Sequence, residues 1–282
     1  MMTHVFSTFN AEAREKELFT SLQRELSFLT DEELMRFVIV KKTKAECLED
    51  APRLRETILK YTPQSIRLDD VIDVLATRVL WAWQGARAKD GSSILLCNGQ
   101  CLRPSETSLR VFLRALFFVV ESLYKLDPEG LTRQGLTLVV DMRNFALYTN
   151  GDRHFFQSVA EVLERGWPIK VKQVLLFHVS ASVRGALGVF RQLFKGEKIK
   201  QRVRVTHYAD LKKDIDEHMI PLEYGGKLCD VTFEKWIAQV SGGMVDEIEV
   251  GDRGRGNDEE MVDEEEKKLY EMAQATKRIV AS

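Results

Sequence analysis

The chain has 282 residues, of which 44% are hydrophobic and 30% are charged, so it holds enough apolar material for a sizeable core. This composition excludes a chain that is disordered throughout. The 41 basic and 43 acidic residues nearly cancel, so any basic surface has to come from local segregation of charge.

The sequence gives no sign of export or of a membrane span. The first ten residues lack the basic start and apolar run of a signal peptide. The most apolar stretch, residues 111–120, contains Arg114 and is shorter than the roughly 20 residues that cross a bilayer. The four cysteines are scattered, as is typical of reduced packing residues. We therefore expect a cytoplasmic protein that associates with membranes only transiently.

The first quarter of the chain predicts helices alone. Leucines at positions 18, 22, 26 and 29 recur at helical spacing, and Thr30 with Glu33 forms a capping box that begins a second helix. Further helices are predicted from about Pro52 to residue 61 and over residues 68–80. Because no strand signal precedes Gly85, we predict a small helical domain over residues 10–84.

From Ser93 onward, short apolar runs alternate with amphipathic segments. The runs at residues 94–97, 136–140, 174–179 and 203–205 predict strands, and helical patterns lie between them. This alternation predicts an α/β domain over residues 85–230 with a mostly parallel sheet flanked by helices. The runs are almost continuously apolar, as expected of strands that are covered on both faces.

The last part of the chain, residues 231–282, forms a C-terminal extension with a different composition. Residues 246–266 contain eleven acidic residues and two arginines, with a glycine-rich stretch among them. Such a composition predicts a flexible acidic tail, and a basic protein partner is one candidate for it.

The motifs of common enzymes are missing. There is no phosphate-binding glycine loop, nucleophile elbow or zinc-binding histidine pair, and no two histidines have metal-ligand spacing. Asp141 ends a buried strand, where it is either a general base or a structural carboxylate that caps the next turn or fixes Arg143. His178 fits a hydrogen-bonded structural histidine. We expect no enzyme, with no catalytic residue, no cofactor and no metal.

Positive charge is concentrated after a predicted amphipathic helix at residues 182–194. Between positions 195 and 204 five basic residues are opposed by Glu197 alone. An amphipathic helix beside such a cluster suits an anionic membrane, where each basic residue contributes about 1 kcal/mol. The alternative is an ordinary surface helix with a solvated charge run. Nucleic acid is not expected as a partner, because no aromatic residues interleave with the charges.

Two motifs resemble the CRAL-TRIO lipid-binding and lipid-transfer family. The heptad Ile-Pro-Leu-Glu-Tyr-Gly-Gly at residues 220–226 is similar to the closing signature of that family, and Trp-Pro-Ile-Lys at 167–170 is similar to its strand entry. The resemblance covers about residues 10–230 and is closest to the tocopherol-transfer, retinaldehyde-binding and clavesin-like branch.

The resemblance implies a cage of sheet and helices around one hydrophobic ligand, which is a lipid, closed by a mobile gate helix at residues 182–194. The partner is then a hydrophobic small molecule or a phospholipid. Large side chains in this region become the candidate lipid-cavity lining. They are Phe117, Val140, Phe145, Leu147, Phe156, Val159, Leu163, Leu187 and Phe190.

The resemblance also gives the basic segment a role. In the tocopherol-transfer and clavesin branch, residues that match Arg191, Lys198 and Arg202 bind phosphoinositide headgroups. Charge-assisted hydrogen bonds explain why basic residues are needed for this. With Lys195 and Lys200 they form the candidate phosphoinositide or membrane site.

Two functions remain open from the sequence. The first is non-enzymatic binding and intermembrane transfer of a lipid, with the basic segment holding the protein at an anionic membrane. The second is a protein-interaction or regulatory module of the same fold, with a degenerate cavity and an acidic tail that binds a protein partner.

Overall fold

The computed structural model describes residues 2–181, 183–184, 197–228 and 233–241 of the chain. It has a five-stranded, mostly parallel sheet flanked by helices, which confirms the predicted α/β class. No described helix is long and apolar enough to cross a membrane.

The N-terminal region is helical, as predicted. Thr30 begins the third helix through the expected capping box, in which the Glu33 carboxylate accepts the Thr30 N–H at 2.9 Å and the Thr30 hydroxyl accepts the Glu33 N–H at 3.3 Å. The predicted leucine helix ends earlier than its spacing indicates, at Leu22, and Leu26 is buried in the turns that follow. The four helices are α1 (Met2–Thr8), α2 (Ala13–Leu22), α3 (Asp31–Lys41) and α4 (Lys44–Tyr61).

The prediction that a helix begins near Pro52 is wrong. Helix α4 begins at Lys44, where the Thr43 hydroxyl accepts the Glu46 N–H at 3.2 Å, and Pro52 lies inside it. An interior proline removes one helical hydrogen bond. Burial of Cys47 and Leu54 on one side of the helix offsets that cost, and the local sequence pattern cannot signal such burial.

The predicted helix over residues 68–80 is also wrong in its second half. After a short 3₁₀ turn (Leu68–Asp70), α5 covers only Ile72–Ala76, and strand β1 begins at Leu80. A strand therefore begins before Gly85, contrary to expectation, because Leu80 and its neighbours pair antiparallel with β2, the next strand along the chain. The predicted boundary between residues 84 and 85 lies within β1.

The sheet has the order β1-β2-β3-β4-β5, with β1 antiparallel to β2 and the other neighbours parallel. Parallel strands in successive order, joined by right-handed crossovers, place their connecting helices on one face of the sheet. The strands are β1 (Leu80–Arg87), β2 (Ser93–Asn98), β3 (Leu136–Asp141), β4 (Val171–Phe177) and β5 (Val203–Thr206). The remaining helices are α6 (Leu109–Leu126), α7 (Pro128–Gln134), α8 (Leu147–Asn150), α9 (Arg153–Glu161), α10 (Glu197–Arg202), α11 (Tyr208–Asp214) and α12 (Phe233–Val240).

After β5 the chain crosses back toward the first edge of the sheet. Ile215 forms an isolated antiparallel bridge with Ala88, just after β1, and the Lys89 N–H donates to the Asp214 carbonyl at 2.7 Å. Farther along, the Tyr224 ring lies 6.2 Å from that of Phe177, centroid to centroid. The segment after β5 therefore packs against the sheet.

A buried ion pair joins the N-terminal helices to α6. The Arg36 guanidinium donates to both oxygens of Glu121, at 2.9 and 3.0 Å, and stacks 3.9 Å from the centroid of the Tyr124 ring. The Trp167 indole N–H donates to the same carboxylate at 3.3 Å. Burial raises the pKa of Glu121, although Arg36 opposes the shift. The core is continuous from α1 through the sheet to α12.

Three of the four cysteines fall within the described residues, and all three are free thiols: Cys47, Cys97 and Cys101. Burial raises the pKa of the Cys47 and Cys97 thiols to about 12, so both stay protonated at neutral pH. Protonated buried thiols behave as small apolar side chains. The burial of these thiols agrees with the interpretation of the cysteines as packing residues.

Candidate functional site

The register of the parallel strands separates the side chains of the sheet into two faces. Val140 pairs with Leu176, and Leu176 pairs with Val205, so these three residues share one face. The residues two positions earlier, Leu138 and Val174, lie on it as well. We call this the first face; the opposite, second face carries Leu96, Val139, Leu175 and Phe177.

The two faces are covered to different extents. On the second face, Leu175 is fully buried and Val139 and Phe177 are each 1% exposed. On the first face, Leu138 and Leu176 keep 8% exposure each, and Val140 and Val205, near the ends of their strands, are only half-buried. Apolar side chains in the middle of a sheet are usually packed without gaps. The first face is therefore covered less completely than the second, above all near the strand ends.

Half-buried apolar residues also lie on α9. Phe156 and Val159 are one helical turn apart, so they share one face of this helix. Phe156 stands in a row of aromatic rings: its centroid is 6.4 Å from that of Phe145 and 6.0 Å from that of Phe155, which in turn lies 4.9 Å from Phe112. Helix α9 is thus anchored to α6 and to the loop after β3, with two large apolar side chains incompletely covered.

The predicted cavity residues fall into three groups. Val140, Phe156 and Val159 are the half-buried ones, and Phe145 and Leu163 are 3% and 5% exposed. The remaining described side chain is that of Phe117, which is fully buried, with ring centroids 5.7 Å from Tyr61 and 5.3 Å from Trp167, where α6 meets α4. Leu147 begins α8, but its side chain is outside the described part of the structure, as are Leu187 and Phe190.

Most of the predicted gate, residues 182–194, lies outside the described residues. Of this segment the structure describes Val183, which is fully buried, and Arg184, which is exposed. The gate therefore stays a prediction from the sequence.

Asp141 holds together the ends of β3 and β4. Its Oδ2 accepts from Nε and Nη2 of Arg143 at 2.8 and 2.6 Å, and its Oδ1 accepts the Arg143 backbone N–H and lies 3.0 Å from Nδ1 of His178. The carboxylate is 2% exposed. These contacts agree with Asp141 as a carboxylate that fixes Arg143 and with His178 as a hydrogen-bonded histidine. This arrangement fixes a strand edge, where the Arg143 guanidinium also lies 5.4 Å from the centroid of the Tyr224 ring.

The heptad at residues 220–226, which we call the closing heptad, requires both of its glycines. Gly225 has φ +81°, which favours glycine. A Cβ atom on Gly226 would lie 1.9 Å from the carbonyl oxygen of Ile220, because the chain turns back on itself there: the N–H of Gly226 donates to the Pro221 carbonyl at 3.1 Å. The heptad thus forms a tight closure whose Tyr224 packs against Phe177 of β4.

Two of the five predicted phosphoinositide residues have described side chains. Arg202 ends α10, and its Nη1 donates to the carbonyl oxygen of Val171, at the start of β4, at 2.5 Å. Lys200 is half-buried. Lys198 lies in α10, one turn from Arg202, but its side chain is outside the described set, and Arg191 and Lys195 lie outside the described residues altogether.

The structure adds three lysines that the sequence analysis did not select. Burial, followed by the positive charges of Lys172, Lys42 and Arg202, lowers the pKa of Lys170, whereas Asp90 acts in the opposite direction. We call Lys42, Lys170, Lys172 and Arg202 the basic cluster. It unites the end of α3, the entry to β4 and the end of α10. The local sequence could have indicated only part of this cluster, the pair Lys170 and Lys172 at the strand entry, because Lys42 and Arg202 are distant in sequence.

A separate cleft of about 120 Å³ lies between α4 and the turn that follows α9. Its lining includes Arg53, Glu56, Lys60 and Glu161. So many charged groups do not suit a lipid tail, which needs an apolar lining. We therefore place the candidate lipid site at the first face and not in this cleft.

Comparisons with known proteins agree with this geometry. The family model for the CRAL/TRIO domain matches residues 82–226, just over half of the chain. Among solved structures, the chain is similar to the one entitled "Crystal structure of Sfh5", with a TM-score of 0.57 and 11% sequence identity, over 80% of this chain and 91% of that chain. At such low identity the likeness concerns the fold alone. The comparison with curated proteins gave no match.

Proposed function

Because the chain belongs to the CRAL/TRIO domain family, we propose that it binds a hydrophobic lipid in an internal cavity at the first face and transfers it between membranes. Membership of this family supports lipid binding and transfer in general, since its proteins are generally carriers and not enzymes. The observation that carries the proposal is the incomplete covering of Val140 and Val205, beside a second face on which Leu96, Val139, Leu175 and Phe177 are at most 1% exposed.

In this proposal, the first face is the floor of the cavity and α9 is one wall. Val140, Leu176 and Val205 contact the lipid from the sheet, and Phe156 and Val159 contact it from the helix. The predicted gate at residues 182–194, with Leu187 and Phe190, is the roof. Burying about 400 Å² of apolar ligand surface would contribute on the order of 10 kcal/mol before entropic costs, which is enough to hold a lipid out of water.

The membrane contact is the second part of the proposal. The basic cluster, together with Lys198 and Lys200, binds anionic headgroups, and a phosphoinositide is the specific candidate. Several positive groups from three elements suit a multiply charged phosphate through charge-assisted hydrogen bonds. The placement in the tocopherol-transfer, retinaldehyde-binding and clavesin-like branch, which first brought phosphoinositides into consideration, belongs to this proposal as well.

Filling the cavity tests the lipid site. We expect Val140→Trp to reduce the lipid that copurifies with the protein at least tenfold, because the larger side chain occupies the floor of the cavity. The midpoint of thermal unfolding should change little, since the new side chain enters free space. The matched control is Leu126→Trp, at a position that is 53% exposed at the end of α6; its lipid content should stay at the wild-type level.

The same variant separates the carrier from the alternative function. In an interaction module with a degenerate cavity, the first face would be packed, and Val140→Trp would then destabilise the fold by about 1–3 kcal/mol through overpacking. Strong destabilisation without any lipid in the wild-type protein would contradict the carrier. The protein partner of the acidic tail also stays a prediction.

A further inference from the structure

The chain carries opposite charges at two places that are distant in sequence. Residues 246–266 contain eleven acidic residues and two arginines, and the basic cluster unites Lys42, Lys170, Lys172 and Arg202. We propose that residues 246–266 bind the basic cluster of their own chain and compete with anionic headgroups for it. This inference rests on the proposed membrane contact and adds its regulation.

Two members of the basic cluster donate to neutral acceptors. Lys170 donates to the carbonyl oxygen of Arg133 at 2.6 Å, and Arg202 donates to that of Val171. Both acceptors are neutral, so these bonds position the cations without cancelling their charge. The nearby Arg133 guanidinium, by contrast, forms ion pairs with two carboxylates, those of Glu15 at 2.8 Å and Glu129 at 3.4 Å.

Mutual repulsion within the basic cluster favours an anionic partner. The neighbouring charges of Lys172, Lys42 and Arg202 each lower the pKa of Lys170, and they outnumber the acidic groups that act on the cluster, which are Asp90 at Lys170 and Glu15 at Lys42. An anion bound among these groups would relieve the repulsion. A segment with many carboxylates meets this requirement, as does a phosphorylated lipid headgroup.

The chain after α12 is long enough to reach the basic cluster. Helix α12 contacts β1, and the described residues end at Ser241. From β1 to the start of β4 is about 25 Å across the sheet, given strand spacings of about 4.8 Å and a rise of about 3.3 Å per residue. Twelve residues, from Ser241 to Arg253, can span up to about 40 Å. The acidic segment can therefore reach the basic cluster even on a path around the molecule.

The consequence is a protein that selects membranes by their charge density. A tethered segment acts at a high effective concentration, on the millimolar scale for a short linker, so weakly anionic surfaces do not displace it. A surface rich in anionic headgroups binds the cluster better and releases the segment, which is a shift of population between two states.

The first experiment uses a neutralised variant of the full chain, which loses seven of the eleven acidic side chains of residues 246–266. Asp258 and Asp263 are changed to Asn, and Glu259, Glu260 and residues 264–266 to Gln. Binding is measured by cosedimentation with phosphatidylcholine vesicles that contain 20% phosphatidylserine. We expect about tenfold tighter binding at low salt and a smaller gain at high salt, since salt screens the contact. The matched control scrambles residues 246–266 at constant composition and should bind as the wild type does.

Carbodiimide crosslinking distinguishes contact from simple repulsion between the segment and the vesicles. It joins carboxylates to lysine amines, and the products in the monomer are identified by mass spectrometry. We expect crosslinks from residues 246–266 to Lys42, Lys170 or Lys172 at low salt. Their absence, their occurrence only in crosslinked dimers or with another protein, or unchanged vesicle binding in the neutralised variant would overturn the inference.

A third variant shows which proposal has failed. Lys42→Glu and Lys172→Glu are added to the neutralised segment, so that the segment no longer masks the basic cluster. If vesicle binding then falls, the membrane contact stands, and a missing crosslink refutes the segment's docking alone. If binding is unchanged, the membrane contact itself is wrong, and the regulation proposed for it falls with it.

Discussion

At the scale of single residues, the closing heptad depends on a close approach of two backbone segments. The carbonyl oxygen of Ile220 occupies the place that a side chain at Gly226 would need. The resulting turn holds Tyr224 against Phe177 of β4, beside the Arg143 guanidinium. One position without a side chain thus fixes how the chain closes over the end of the sheet.

We predict that Gly226→Ala lowers the free energy of unfolding by about 2 kcal/mol or more, because the added Cβ forces the turn to open. Urea denaturation measures the change. Gly91→Ala is the control: Gly91 has a φ of +82°, a backbone strain that Gly226 lacks, but its Cβ would meet only the Gln134 side chain at 3.4 Å. Equal losses in the two variants would show that the close approach is unimportant.

The residue-level predictions that agree with the structure concern contacts between residues that are close in sequence. The Thr30 capping box lies within four consecutive residues, and the contact between Asp141 and Arg143 spans two. The basic cluster was only partly foreseen, since Lys42 is brought to Lys170 by tertiary packing that no spacing along the chain indicates. The burial of Phe117 between Tyr61 and Trp167 could not be predicted either, because it depends on α4, a helix that is distant in sequence.

At the scale of elements, the sequence predicted the interior strands β3 and β4 but not the edge strand β1. Strands β3 and β4 each contain a nearly continuous apolar run, at residues 136–140 and 174–177, which the sequence shows directly. Strand β1 follows a helical pattern and contains Gly85, and its hydrogen bonds come from pairing with β2. The prediction that a helix begins near Pro52 was wrong for a similar reason. The Thr43 cap and the burial of one face of α4 determine where that helix begins.

In the proposed membrane contact, the end of α3, the entry to β4 and the end of α10 supply the basic side chains. We predict that Lys42→Glu with Lys172→Glu reduces binding to vesicles that contain phosphoinositide at least tenfold, since both changes place negative charge at the headgroup site. Cosedimentation at several salt concentrations measures this effect.

The matched control for this pair is Lys125→Glu with Lys213→Glu, which makes the same change in net charge at exposed positions of α6 and α11 that are not members of the basic cluster. It should retain most of the binding. An equal loss in both double variants would mean that only the net charge of the protein matters, and the assignment of the basic cluster would be wrong.

At the scale of the whole molecule, the N-terminal helices and the sheet share one core. The contact between Arg36 and Glu121 connects α3 to α6, and Trp167, just before β4, donates to the same carboxylate. Breaking such a buried pair typically costs about 3–5 kcal/mol. The N-terminal helices thus support the region that holds the first face.

The difference between the two faces of the sheet is the basis of the proposed function. The central apolar side chains of one face are at most 1% exposed, whereas the other face keeps apolar side chains incompletely covered near the strand ends. In a core of this size, uncovered apolar surface without a ligand is unfavourable by about 25 cal/mol for each Å². A bound lipid would cover it.

Native mass spectrometry of the full-length protein, purified without detergent, tests this account most directly. We predict a mass above that of the polypeptide by one lipid molecule, released on denaturation and identified by lipid analysis. The Val140→Trp variant should lack that added mass. A wild-type chain that carries no lipid after expression in several hosts, and takes none up from vesicles, would contradict the central claim.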